Sequence, residues 1–399
     1  MEQIGNFIIY IIMICAAIGA IASVINDESA LGQEFLNGIN SIGPIFLPVG
    51  GIMAAAPYLS SFVTKFLSPL FNQLGADPSI AATTLIAVDM GGYQLAHSLA
   101  LDKESWMVAT VTGYMAGASL VFSIPVALKM LNKQDHRYLA LGVMAGFIAI
   151  PFGVFFSCLT FIAGKPVIRS VVSTIGGGDY VLDLSLGAAL VDILPLAIVC
   201  LLISVGLYFR PKSMINGFIF LGNLMENVLK LVFVSCVIEY FTGFFSKVFG
   251  GFGFEPLIAD SNEITRALEV SGYIGIMLCG AFPMVYLIRT YLEPIIGRLG
   301  SKVGLSGDAS TGILAASANV LALFAMVHKF KPEDKVKTIA YAVCCAFLLG
   351  DHLAFSANFQ PSIILPVFLG KIFGGIVAVF IATKFVIPHV LNKKNNAFM

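Results

Sequence analysis

Charge is what this chain has least of. Lys, Arg, Asp and Glu make up 12% of its 399 residues, and 23 basic side chains balance 23 acidic ones. No basic tract is long enough to hold a phosphate backbone, so the charge points to no nucleic-acid partner. Also missing are common enzyme signatures: HExxH, GxSxG, a phosphate-binding GxxxxGK[ST] loop, and any Cys/His cluster with metal-ligand spacing. The chain is therefore read as neither an enzyme nor an ATP-driven pump, with no cofactor and no metal expected. Gly176-Gly177-Gly178-Asp179 lacks the Lys-Ser/Thr of a phosphate loop and reads as a flexible connection. Cys15, Cys158, Cys200, Cys236, Cys279, Cys344 and Cys345 all fall in apolar segments without a CxxC pair. They are expected to pack rather than to bridge or bind metal.

What the chain does have is apolar surface. Hydrophobic residues make up 58% of it, with 39 glycines and 33 phenylalanines, and the mean hydropathy is +0.92. Runs long enough to cross a hydrocarbon core of ~30 Å recur from end to end, which excludes a soluble globular domain. An all-α polytopic membrane protein follows, as one transporter-like domain over 1–399 in contact with the lipid bilayer. The start, Met1-Glu2-Gln3, has no basic leader region, so the first apolar run is read as a retained helix. Expected membrane elements are 4–25, 42–63, 78–101, 106–130, 138–162, 184–209, 217–240, 270–291, 309–327, 338–359 and 362–387.

One run is interrupted. Ala87-Val88-Asp89-Met90-Gly91-Gly92-Tyr93-Gln94 places a carboxylate and two glycines where a membrane helix should continue. An ionised side chain at membrane depth costs ~2.5–3.5 kcal/mol on the gentlest scale, so it faces a partner, a cavity or a substrate. Glycines let the backbone leave the helix, which is tolerated at that depth only inside protein or beside water.

The halves of the chain echo each other. Ile52-Met53, Pro57 and Phe66-Leu67-Ser68-Pro69 are matched by Ile276-Met277, Pro283 and Tyr291-Leu292-Glu293-Pro294, and Gly117-Ala118-Ser119 by Gly350-Asp351-His352. Loop charge is a separate test. Placing the basic clusters near Lys129, Arg210, Arg298, Lys331 and Lys393 on one side works only if 309–327 enters and leaves on the same side. Its counterpart is 78–101. Two re-entrant hairpins then leave nine full spans, arranged as an inverted repeat of 1–163 and 217–388 around a connecting span, 184–210. Eleven full spans are the alternative. Inverted repeats whose broken elements meet at the midplane are a usual construction of secondary transporters.

Four interruptions should converge: the two hairpins and the two spans after them. The first half offers Asp89, Gly91, Gly92, Tyr93, Gln94, Ser119 and Ser123, where Pro125 is expected to break the span and free a carbonyl. The second offers Ser317, Asn319, Asp351, His352, Ser356 and Asn358. Each half thus contributes an intramembrane carboxylate, and little positive charge stands near either in sequence. A small cation suits this set, its ammonium donating to Asp89 or Asp351 while Tyr93, Phe122 or Phe355 offers an aromatic face. A structural hydrogen bond is the competing role for Asp89. Asp351 and His352 are adjacent, so on a helix they point about 100° apart. Asp192 is expected to pack or pair, and Glu226, Glu239 and Glu293 to cap or snorkel.

Ala87 to Gly92, Phe122-Ser123-Ile124-Pro125-Val126-Ala127-Leu128, Arg137-Tyr138-Leu139-Ala140-Leu141-Gly142-Val143 and Gly350-Asp351-His352-Leu353-Ala354-Phe355 together resemble the bacterial ethanolamine permease family. The resemblance covers nearly the whole chain. It implies an inner-membrane carrier for ethanolamine, a small amino alcohol mostly protonated at neutral pH. By topology alone the layout also resembles elevator carriers, which implies a homodimer. A small-cation channel and a membrane enzyme acting on an amine or lipid head group are the competing functions; the latter would have to rest on Asp351 and His352.

Overall fold

A computed structural model describes residues 1–86, 89–302 and 304–390. Among these, all regular structure is helical except one antiparallel pair, Val167–Ile168 with Tyr180–Val181. The protein is an all-α polytopic membrane protein, with eight helices among the described residues long and apolar enough to cross a membrane.

In chain order the main elements are α1 (Glu2–Ile25), α2 (Ala30–Asn40), α3 (Ile42–Ala54), α4 (Pro78–Leu85) and α5 (Asp89–Leu99). Lys103–Met130 forms α6. Then come α7 (His136–Gly164), α8 (Leu186–Phe209), α9 (Pro211–Thr242) and α10 (Ala267–Lys302). The last are α11 (Gly307–Ala318), α12 (Val320–Met326), α13 (Pro332–Cys345) and α14 (Asp351–Phe359), with Pro361–Val386 as α15. Short helical turns join α3 to α4.

Polar caps set where several helices begin. Asp102 accepts from Ser105 N at 2.7 Å to start α6, Ser185 from Ala188 N at 3.1 Å to start α8, and Ser306 from Ala309 N to start α11. Each satisfies a donor that the first helical turn leaves open.

Asp77 does more than cap. Its Oδ1 accepts from Ser79 N at 2.8 Å at the head of α4, and its Oδ2 accepts from Leu101 N at 2.8 Å, just past the end of α5. The two ends of the 78–101 segment therefore meet, and α4 and α5 form a hairpin. At ~1.5 Å per residue the arms are about 12 and 16 Å long, too short to span. Asp192 of α8 holds the same corner, accepting from Asp77 N at 2.9 Å. The expected packing role of Asp192 thus has a specific partner.

The segment after α10 also turns back. A side chain at Gly312 of α11 would meet both Leu323 of α12 and Phe330, so the two helices lie against each other.

The packing falls into two groups. The outer one contains α1, α2, α3, α9 and α10, in which α1 packs on α10 and α3 on α9. Helix contact there is close: a Cβ on Gly280 of α10 would lie 2.2 Å from the Ile12 carbonyl oxygen of α1. The inner group contains both hairpins with α6, α7, α13 and α15, and is the most deeply buried part of the molecule. Large apolar side chains on α1, α8 and α9, such as Phe7, Leu202 and Phe220, remain exposed, as lipid-facing surface does.

All seven cysteines are buried and unbridged, in keeping with their reading as packing residues. Glu226 pairs with Lys129 and Lys230, at 2.5 and 2.6 Å. Glu239 caps the following turn by accepting from Phe245 N at 2.8 Å.

Candidate functional site

The two spans that follow the hairpins deviate from α-helix in different ways. In α6 the stretch Gly113–Ser123 is wound as a π-helix that passes into Ile124–Met130 without unwinding. The break expected at Pro125 is not there, because Pro125 falls in the first turn after the wide segment, where its missing N–H disturbs least.

The second span is broken outright. α13 ends at Cys345, α14 starts at Asp351, and Phe347 between them has a φ of +60°. The backbone groups freed by this break are satisfied by the tip of the second hairpin. Phe347 N donates to Ala316 O at 3.1 Å and Leu349 N to Ser317 O at 2.7 Å. Gly350 sits so close to the Ala318 carbonyl that a Cβ there would be 2.1 Å from its oxygen. Unpaired backbone at membrane depth is thus matched with unpaired backbone.

A cavity of about 510 Å³ lies against this junction and is bordered by both hairpins and both deviating spans. The first hairpin contributes Met90, the second Ala318 and Asn319, α6 contributes Phe122, and the broken span contributes Phe347 and Asp351. The opposite wall comes from the outer group, with Asn37 and Asn40 of α2, Val49 of α3, and Tyr286 and Arg289 of α10. Glu34 and Asp351 supply two carboxylates against the one guanidinium of Arg289, so the described lining is anionic by one charge. Asn319 Oδ1 caps α12 by accepting from Leu321 N at 2.9 Å, which leaves its amide NH2 as the group able to donate to a ligand.

The remaining sequence-selected residues divide clearly. The side chain of Asp89 lies outside the described residues, although Asp89 itself starts α5 beside Met90. Gly91 is packed against Ile52, and Gly92 is buried. Tyr93 is turned inward: its ring packs on Trp106 and Phe355, and its hydroxyl accepts from Gln360 Nε2 at 2.9 Å. Gln94 is half-buried on the same helix. Ser119 Oγ donates to Val343 O at 2.8 Å and so joins the two deviating spans. Ser123 borders a small gap between α6, α12 and α13. Ser317 Oγ is 3.0 Å from the Tyr341 hydroxyl. Asn358 Nδ2 donates to Tyr273 O and Ala354 O. Of the selected polar residues whose side chains are described, only Asn319 and Asp351 border the cavity, joined by Phe122 of the three selected aromatic faces.

Asp351 and His352 diverge as adjacent helical residues must. Asp351 reaches the cavity, whereas His352 is fully buried behind it, its ring stacked on Tyr114 at 4.4 Å. Ser356 joins this group, its Oγ 3.3 Å from the Tyr114 hydroxyl. The fourth member is Lys371 of α15, wholly buried, with Nζ donating to Tyr114 O at 2.7 Å and 2.8 Å from His352 Nδ1. Sequence reading overlooked it, although a lysine in the middle of the apolar run 362–387 is the kind of intramembrane charge that signals function. Little positive charge stands near Asp351 along the chain, but in the fold Arg289 of α10 borders the same cavity.

No group of three or more His, Cys, Asp and Glu side chains that could hold a metal ion occurs among the described residues. Helices that cross a membrane, a hairpin of half-length arms and a cavity bordered by broken helices define a multi-pass α-helical membrane protein with an internal site. The chain matches the family described as "Ethanolamine utilisation protein, EutH" over residues 4–385, and it belongs to that family. It is 34% identical over 396 residues to "Probable ethanolamine permease EutH" of Listeria monocytogenes, covering 99% of this chain and 97% of that protein. The Escherichia coli protein of the same name is 33% identical over 399 residues, covering 96% and 94%. A Bacillus subtilis relative, "Uncharacterized protein YxeR", is 29% identical over 377 residues, covering 94% and 93%. No solved structure matches the chain.

Proposed function

We propose that this protein carries protonated ethanolamine across the bacterial cytoplasmic membrane, as a facilitator or secondary carrier, through the cavity at Asp351 and Asn319. The observation that carries the reading is the meeting of both hairpins, the π-wound span and the broken span at one anionic cavity of about 510 Å³. That volume is within the ~300–1,000 Å³ usual for small-molecule sites. An ammonium brings three donors and no acceptor, which suits the Asp351 carboxylate, while Phe122 and Phe347 offer aromatic faces. The substrate hydroxyl suits the Asn319 amide. Asp89, beside cavity-lining Met90, is the second counter-charge in this reading. The relatives' printed name supports ethanolamine as the substrate.

The two halves act as inverted copies, with the cavity between an outer group and an inner group that carries the hairpins. In support, the pairing of α1 with α10 has its counterpart in the pairing of α9 with α3.

The test is uptake of labelled ethanolamine into proteoliposomes. Asp351→Asn and Asp89→Asn should each abolish saturable uptake while the purified proteins remain folded. Wild-type kinetics in both variants would sink the proposal. Counterflow of labelled substrate separates a carrier from an open pore, and recovery of chemically altered ethanolamine would point instead to an enzyme.

A further inference from the structure

A second and larger cavity, about 760 Å³, lies far from the first in the chain, where α7, α9 and α13 all begin. Its lining includes Lys133, His136, Arg137, Lys212 and Lys335, with Asp135 as the one carboxylate among the described residues. Asp135 is already taken by Lys335, at 2.5 Å in a largely buried pair. Lys133, Arg137 and Lys212 form no ion pair with any described carboxylate. Arg137 is held instead by Tyr138, stacking over its ring at 4.5 Å and donating to its hydroxyl. Like charges gathered around one cavity raise its potential, and the N-termini of α7 and α9 add to it, while that of α13 is offset by Glu333 and Asp334 in its first turn. An anion entering the cavity would lower that potential.

We propose that this cavity binds a phosphate-bearing anion, and specifically the headgroup of an anionic phospholipid. The cavity lies at the ends of membrane-spanning helices, where a headgroup resides. Ile215 is part of its lining, and Tyr208 and Phe209 at the adjoining end of α8 leave apolar surface exposed for acyl chains. Basic pockets between membrane helices take such lipids, and a planar guanidinium held in place suits a phosphodiester. The site is independent of what the main cavity carries.

The probe is phosphatidylglycerol added to delipidated protein in neutral detergent, followed by native mass spectrometry and by the thermal unfolding midpoint. Wild type should retain at least one phosphatidylglycerol and unfold several degrees higher with it, whereas phosphatidylcholine should do neither. The triple variant Lys133→Gln, Arg137→Gln, Lys212→Gln should lose the retention and the shift while eluting as wild type in gel filtration. Arg137→Lys alone, which keeps the charge but not the fork, should weaken retention several-fold and serves if the triple variant is poorly folded. Equal retention by wild type and both variants overturns the proposal. A matching shift from inorganic phosphate at the same concentration would assign the site to a soluble ligand and overturn the lipid assignment.

Discussion

Replacing Asp77 should open the first hairpin at its base. Its carboxylate caps α4 through Ser79 N and closes the loop through Leu101 N. Losing an N-cap costs about 1 kcal/mol. Stripping the acceptor from a half-buried backbone N–H adds about 1 kcal/mol, the low end of the usual range, because water can partly reach it. Asp77→Ala should therefore cost about 2 kcal/mol in local stability. Asp77→Asn keeps one acceptor oxygen and should cost about half of that. In both variants Asp77 N still donates to Asp192, so the corner is loosened rather than lost. The assay is hydrogen exchange at the Leu101 amide, the donor that Asp77 holds, read together with the unfolding midpoint. Exchange should accelerate about thirtyfold for alanine and about fivefold for asparagine, by the factor of ten per 1.4 kcal/mol. Identical rates in all three backgrounds would refute the idea that this carboxylate ties the hairpin's ends.

Gly350→Ala should push the tip of the second hairpin away from the broken span, since the new methyl would meet the Ala318 carbonyl. The expected cost is about 1–3 kcal/mol, read as a lower unfolding midpoint, with saturable ethanolamine uptake reduced in step. Lys371→Met removes the donor to Tyr114 O and the contact with His352. It should lower stability by about 1–3 kcal/mol, the usual cost of leaving a buried acceptor without its partner. A midpoint equal to wild type would show that this amine has no structural role. In the loop before α10, backbone donors of Glu263 and Asn262 hold the Asp260 carboxyl below its ordinary value. A depressed pKa means that this turn is fully stabilised above the ordinary carboxylate range and loosens as pH falls through the lowered value. The protection of those two amides against hydrogen exchange, taken relative to the intrinsic rate at each pH, should fall below about pH 4.

Spans were readable because the hydrocarbon core imposes a length and a composition on each of them. Among the described residues eight spans appear as long helices, the second over Ala30–Ala54 rather than the expected 42–63, and the expected span 338–359 is present as α13 and α14 with a break between. Nothing local in Ala346-Phe347-Leu348-Leu349 signals that break, since each residue accepts a helix. It is imposed from outside, by carbonyls of Ala316 and Ser317 that lie about 30 residues earlier. The opposite error occurred at Pro125, where a strong local breaker was absorbed by a wide turn. Asp351 and Asn319 were legible as costly polar groups at depth, and both border the cavity. Tyr93 and Ser119 were polar for a different reason, as cross-links between packed helices, and composition does not separate the two uses.

The exchange of partners between the halves has a consequence for synthesis. α3 waits for α9, which begins roughly 150 residues later, and α1 waits for α10, later still. At ~5–20 residues per second, α3 sits in the bilayer for about 8–30 s and α1 for about 12–50 s before its partner begins to be made. Over that interval Gly5, Gly19, Gly38 and Gly51, shaped for neighbours not yet made, face lipid or a chaperone. The protein is assembled in the order of its contacts, which differs from the order of its sequence.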